Sequence, residues 1–280
     1  MHSSPAPGTR RRPFLTARWE SLLLLNYPCR REWLEPLVPA GTELDAWHGE
    51  TLVSLVGFLF TDTRLLGVPV PFHRTFEEVN LRFYVRRPGP DGVMRRAVVF
   101  ISELVPRTAI AWTARWTYNE PYVAVPMSHR IALSNESGGE VEYAWRHRHV
   151  PFRLHAAVEG PASALAAGSE AQFITEHYWG YTRQRDGGTI EYEVAHPSWR
   201  VWTAMTASFT GDATHLYGAG FAALLAQPPR SAFVAVGSPV EVHAGRRIQP
   251  SASQLSPESR TPAPPRYATI HPLPSPSTRR

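Results

Sequence analysis

The chain has 280 residues, 43% of them hydrophobic and 19% charged, ordinary proportions for a globular domain. The longest charge-free apolar run near its start, Leu22 to Leu25, is far short of the roughly 20 residues a membrane helix needs. A single cysteine, Cys29, excludes an internal disulfide framework and a Cys-based zinc cluster. All 29 basic residues are arginine and none is lysine, which excludes chemistry built on a side-chain amine.

The net charge of +5 suggests nucleic acid until its distribution is considered. Arg10, Arg11 and Arg12 stand in the first twelve residues without an acid. Residues 246–280 carry six arginines against Glu258. The body, 13–245, holds 20 arginines and 23 acids, so it lacks the concentrated basic face of a duplex-binding domain. Arg11-Arg12-Pro13-Phe14-Leu15 looks like a twin-arginine export signal. Arg18, Glu20 and Asn26 interrupt the apolar stretch that such a signal requires. The expectation is a disordered basic leader over 1–12 and a cytoplasmic protein, with no specific nucleic acid and no membrane span.

In chain order, strand patterns dominate the body. Trp19–Tyr27 reads as an extended apolar strand. Arg31–Val38 follows as a helix with Trp33, Leu34, Leu37 and Val38 on one side. Thr51–Thr61 is nearly continuous Val, Leu and Phe, as in a strand buried on both faces. Thr75–Arg86, Arg95–Val105, Gly139–His147 and Pro151–Val158 alternate as strands do. Trp112 and Trp116 mark Thr108–Asn119 as a candidate helix, and Ser169–Trp179 reads as a short helix stopped by Gly180. Thr189–His196 and Trp199–Thr210 form a further strand pair broken at Pro197. Ala213–Ala226 is a helix with Asp212 available as its cap, and Ala232–His243 closes the domain. Residues 249–280 contain eight prolines and few large apolar side chains, so a disordered tail over 248–280 is expected. These elements make one domain over 13–247. Its class is α+β and β-rich, with an antiparallel curled sheet closing into a cone or barrel under a few covering helices.

The strand Thr75–Arg86 carries the functional information. Val79, Leu81, Phe83 and Val85 share one face; Glu78, Asn80, Arg82 and Tyr84 share the other. Such a polar ladder faces either water or the lumen of a barrel, where it recognises a small ligand. Pro71-Phe72-His73 delivers an imidazole just upstream.

Pro71-Phe72-His73, Glu78 through Val85, Phe173-Ile174-Thr175-Glu176-His177-Tyr178 and His196-Pro197-Ser198-Trp199 occur in that order. Together they resemble the YqjF-like uncharacterised family (domain of unknown function 2071), and the resemblance extends from about Pro13 to Val242. The family stands near the acetoacetate-decarboxylase-like superfamily, so the resemblance implies a cone or barrel of antiparallel strands around an internal pocket. It also favours the lumen for Asn80 and Arg82. The superfamily's chemistry runs through a lysine that condenses with a keto acid, a step this sequence cannot perform.

Candidate ligand-binding residues are therefore Asn80, Arg82, Tyr84 and Glu78, and candidate proton-transfer residues are His73, Glu176, His177 and His196. His147 and His149 alternate with Arg146 and Arg148 and read as an exposed strand end. The candidate histidines His73, His177 and His196 form no HxH or HExxH pair, and no G-x-S-x-G elbow or phosphate loop is present, so no metal and no cofactor are expected. Trp199 and Trp202 read as core. The functional expectation is a small-molecule-binding barrel for an anionic or carbonyl ligand, working without Schiff-base chemistry. If it is an enzyme, it is lyase- or hydrolase-like. The alternative is a non-catalytic structural or interaction protein whose polar groups form a packed network. The small molecule is unknown, and a homo-oligomer is left open. Removal of residues 250–280 is expected to leave the thermal midpoint nearly unchanged, since that segment lacks apolar surface to dock; a melting curve of the truncated chain checks this.

Overall fold

Runs of Val, Leu and Phe with few helix formers make long strands, and this chain has many. A computed structural model describes residues 12–69, 74–106 and 121–248. Its first half comprises β1 (Leu15–Pro28), α1 (Arg31–Leu34), β2 (Glu43–Leu44), β3 (Leu52–Leu65), β4 (Val68–Pro69), β5 (Phe76–Pro88), β6 (Met94–Val105), β7 (Tyr122–Ala124) and β8 (Met127–Ser134). The second half comprises β9 (Gly138–His147), β10 (Val150–Glu159), α2 (Glu170–Thr175), β11 (Trp179–Arg183), β12 (Thr189–Ala195), β13 (Val201–Thr203), β14 (Thr206–Thr210), α3 (Thr214–Leu225), β15 (Ser231–Val242) and β16 (Arg246–Ile248). The expected helix over 108–119, His73, the leader over 1–11 and the tail from 249 lie outside the described residues.

Seven strands form a curled sheet in the order β15-β1-β3-β5-β6-β11-β12. Val194 and Ala195 of β12 then pair with Val242 and Glu241 of β15 and close the ring. The expected cone is present, but its sheet is not wholly antiparallel: β6 and β11 run parallel where Trp179 and Gly180 meet Ala97 and Val98. A second sheet, β14-β10-β9-β8, is separate from the ring. Its alternation is the same as the ring's, so the pattern does not separate the two, and β8 and β11 lie outside the expected strands. Trp199–Thr210, read as one strand, divides at Ala204: β13 pairs with β15 in the ring and β14 pairs with β10 in the second sheet.

The two sheets explain why so little of β5 meets water. Val79, Leu81, Phe83 and Val85 share one core with Tyr143, Trp145, Phe152 and Leu154 of the second sheet. The opposite face turns into the ring, where Tyr84 packs with Leu22, Leu24, Phe58, Phe173 and Ile174. Alternation along β1 is reset by a bulge at Ser21, whose φ is 53°. Leu22 and Leu24 consequently face inward, and Leu23 and Leu25 face the second sheet.

The helices are shorter than expected. Pro36 converts the end of the first into a 3-10 turn, Glu35–Leu37, and Trp33 remains 38% exposed. α2 is capped by Ser169, whose Oγ accepts from the Gln172 N–H at 3.1 Å. It ends at Thr175 rather than at Gly180, which lies inside β11. In α3 the cap position is Ala213, and Asp212 accepts instead from the Thr214 N–H. Gly218 interrupts that helix with φ 78°. Arg148 and His149 form the tip of the β9–β10 hairpin with φ of 47° and 70°.

Gly57 of β3 shows how tightly the sheets meet. A Cβ there would lie 2.7 Å from the Tyr143 ring, and that ring is anchored because its hydroxyl donates to the Ser21 carbonyl at 2.9 Å. Gly57→Ala is therefore expected to cost about 1–3 kcal/mol, read as a lower denaturation midpoint with unchanged slope.

Candidate functional site

The polar ladder of β5 faces the interior. Glu78, Asn80 and Arg82 are 4%, 1% and 8% exposed, and all three line a cavity inside the ring. Trp19, Phe58, Phe60, Phe100, Trp199, His177 and His196 complete much of its wall. The space open to the centres of water-sized molecules is about 40 Å³, enough for a few waters or a ligand of a few heavy atoms.

Arg82 is a buried cation with little to hold it. One Nη2 contact to the Ile174 carbonyl, at 3.4 Å, comes from α2, and the guanidinium carbon lies 5.8 Å from the Tyr84 ring centre. Its Nε has no hydrogen-bond partner. No carboxylate lies within 4 Å of it among the described residues. Asn80 donates from Nδ2 to Glu78 Oε1 at 3.0 Å, while its Oδ1 has no partner.

His177 follows α2 directly, and α2 carries it into the ring. The imidazole is clamped against Tyr84 at 4.5 Å and Phe173 at 5.4 Å between ring centres. Its side chain is 2% exposed, and Nε2 stands 3.7 Å from Asp45 Oδ2, too long for a hydrogen bond. Neither ring nitrogen has a partner. Burial drives its pKa down to about 4, so it is a neutral imidazole at neutral pH. Asp45 is held by Arg96 Nε at 2.7 Å and by the Ala46 N–H at 3.0 Å. Burial alone would raise its carboxyl; His177 and Arg96 beside it bring it below its ordinary value.

His196 lies flat on Trp199, 4.1 Å between ring centres and 13° between planes. Nδ1 donates to the Pro197 carbonyl at 2.9 Å, which fixes that nitrogen as the protonated one. Burial also lowers its pKa.

The remaining candidates divide. Glu176 is not part of the cavity wall. Its two oxygens accept from Gln172 and Ser198, both at 2.9 Å, so it ties the end of α2 to the loop carrying His196. Tyr84 shares the inward face but belongs to a packed network. Its hydroxyl is 2.6 Å from Ser54 Oγ, which donates to Asn26 Oδ1. Asn26 and Glu170 then meet at Ser231.

Glu103, Tyr122, Thr175, Trp179 and Tyr192 line the cavity and were not among the expected residues. Glu103 stands opposite Asn80 and accepts from the Tyr122 hydroxyl at 2.8 Å. A register shift between Leu81 and Arg82 hides it: Arg82 pairs with Phe100 while Leu81 pairs with Ser102. Strict alternation from Phe100 would turn Ser102 inward instead. Asp45 sits on a short connection without periodicity, and only its spacing from β5 in three dimensions reveals it.

Among the described residues no three His, Cys, Asp or Glu side chains cluster as a metal site. No helix among them is long and apolar enough to cross a membrane.

The neutral state of His177 has a consequence for stability. An unfolded chain takes up a proton on this imidazole near pH 6.5, whereas the folded chain resists until about pH 4. Stability should therefore fall as pH drops through that window and level off below it, by about 2 kcal/mol between pH 7 and pH 5 from this group. His177→Phe, which keeps the aromatic clamp, should remove that part of the slope in urea unfolding at the two pH values.

Comparison with known proteins agrees with this fold. The uncharacterised protein YqjF of Bacillus subtilis (strain 168) is 27% identical over 205 residues, covering 71% of this chain and 80% of that protein. An acetoacetate decarboxylase from Legionella pneumophila superposes with a TM-score of 0.59 at 14% identity, covering 88% of this chain and 93% of that one. The enduracididine biosynthesis enzyme MppR, solved with pyruvate, gives 0.58 at 12% identity, covering 85% and 91%. These likenesses establish an acetoacetate-decarboxylase-like fold. The family model of the uncharacterized conserved proteins DUF2071 matches residues 16–240, and the chain belongs to that family.

Proposed function

We propose that the cavity binds a small anionic or carbonyl compound, with Arg82 as its principal anchor and Asn80 beside it. The observation that carries this reading is Arg82 itself. A guanidinium removed from water without a carboxylate partner is costly, and a ligand carboxylate or polarised carbonyl supplies the missing acceptor by a charge-assisted bond. The similarity to a fold that holds pyruvate in MppR supports a ligand of this size and charge. Aromatic walls provide the apolar enclosure, and the neutral imidazoles of His177 and His196 supply groups for hydrogen bonding or proton transfer.

Any turnover proceeds without an imine, because the sequence contains no lysine. Arg82 would stabilise developing negative charge, and a histidine or carboxylate of the wall would move the proton. The packed-network reading has its own support in the Tyr84–Ser54–Asn26 chain. It accounts for the part of the inward face beyond Arg82 and leaves Arg82 unexplained.

Arg82→Gln tests the proposal. Binding of pyruvate or acetate, followed by ligand-observed NMR, should weaken about 10- to 100-fold, the worth of a charged hydrogen bond. Stability should stay within about 1 kcal/mol of the parent or rise. Loss of about 3–5 kcal/mol with binding retained would instead identify Arg82 as a structural cation. Borohydride added with pyruvate should leave no covalent mass on any side chain.

A further inference from the structure

Among the side chains that line the cavity, Arg82 Nε, Trp19 Nε1, Asn80 Oδ1 and both ring nitrogens of His177 have no hydrogen-bond partner, and His177 Nε2 faces Asp45 beyond bonding distance. Their chemistry is unequal. Arg82 Nε and Trp19 Nε1 are donors, and they require acceptors. Asn80 donates one amide hydrogen to Glu78 Oε1, and its carbonyl Oδ1 is an acceptor. The carboxylate of Asp45 beside Nε2 favours the proton on that nitrogen, so Nδ1 carries the lone pair and is a second acceptor. Burial keeps the ring neutral rather than doubly protonated. A keto acid or simple carboxylate has only acceptors at neutral pH. It would satisfy the donors and leave both acceptors of the wall unmatched, and a single ligand hydroxyl can serve one of them.

We propose that the ligand carries a hydrogen-bond donor next to its anionic group, as a short 2-hydroxy acid does, and that His177 selects for that donor. Asp45 is the positioning residue: it touches no ligand, and it fixes which nitrogen of His177 accepts. This deepens the reading of the cavity as an anion site and rests on it. The space open to the centres of water-sized molecules, about 40 Å³, favours acids with a short chain. Aromatic side chains of the wall, Phe58, Phe100 and Trp199 among them, leave the hydrocarbon part no polar contact to make.

The test compares lactate, which has the hydroxyl, with propionate, which has the same carbon chain without it, and with pyruvate. Titrations of the full chain at pH 7 should give lactate at least tenfold tighter binding than either, because a site built to bond a hydroxyl rejects the analogue that lacks it. His177→Phe should bring the lactate-to-propionate ratio close to one while propionate binding, held by Arg82, persists. Long-range proton–nitrogen NMR of the parent chain should show His177 protonated at Nε2, a signature that packing alone does not set. Asp45→Asn should lose that preference together with the selectivity, and Asp45→Glu should restore part of both. Equal binding of lactate and propionate, both abolished by Arg82→Gln, overturns this inference and leaves the anion site standing. Absence of binding by all three overturns both. An Nδ1-protonated His177 in the parent chain overturns the role of Asp45, even if the Asp45 variants fail to fold.

Discussion

The structure depends on β5 being buried on both faces. Its apolar face meets the second sheet and its polar face meets the ring's interior, so Glu78, Asn80, Arg82 and Tyr84 cannot satisfy themselves with water. A buried polar group without a partner destabilises the fold, and four of them in a row on one strand demand partners arranged around them. Much of the remaining architecture provides those partners. Glu78 accepts from Asn80 along β5 itself, β3 brings Ser54 to Tyr84, and α2 reaches inward to place a carbonyl on Arg82 and His177 against Tyr84.

Closing the sheet is what makes this burial feasible. An open sheet of these strands would leave the ladder wet on one side. The two-residue contact between β12 and β15 turns it into a lumen. The ring leaves little room at its centre, because large aromatic side chains occupy it from several strands. The shell around that centre is largely aromatic, and its polar side chains include Asn80 and Arg82 of β5, His177 after α2 and His196 after β12.

How much of this was legible in the sequence varies with the physics behind each feature. Period-two alternation holds wherever a strand is regular, so the two faces of Thr75–Arg86 and the identity of Asn80 and Arg82 as a pair could be read directly. It fails where a bulge inserts a residue: Ser21 in β1 and the Leu81/Arg82 shift against β6 each invert the faces beyond them. Glu103 was lost for that reason. Short connecting segments carry no period at all, which hid Asp45. Glu176 was legible only as a neighbour of His177. One step of chain past a helix end separates a side chain in the wall from one that braces a loop, and neither composition nor spacing resolves that difference. The second sheet was unreadable as a separate body, since its strands alternate just as those of the ring do.

A comparison of two buried charges within this chain shows why the unmatched atoms of the cavity carry meaning. Glu191 has a side chain only 1% exposed, and the fold surrounds it. Arg95 and Arg246 reach it at 2.6 and 2.8 Å, and the Tyr181 hydroxyl donates at 2.9 Å. Burial pushes that carboxyl up, yet these bonds outweigh the effect and hold it below its ordinary value. Arg95 is fixed further by lying 4.0 Å above the Trp179 ring. Arg82, buried to a similar degree, receives one long contact to a carbonyl and has no acid at ion-pair distance among the described residues. Arginine is abundant in this sequence and acids are not scarce, so a saturating carboxylate was chemically accessible to both sites. The fold completes the shell of Glu191 with its own side chains and leaves that of Arg82 open toward a cavity. A charge saturated by the chain serves stability, and one left short of partners beside a cavity is the feature on which the proposed anion site rests.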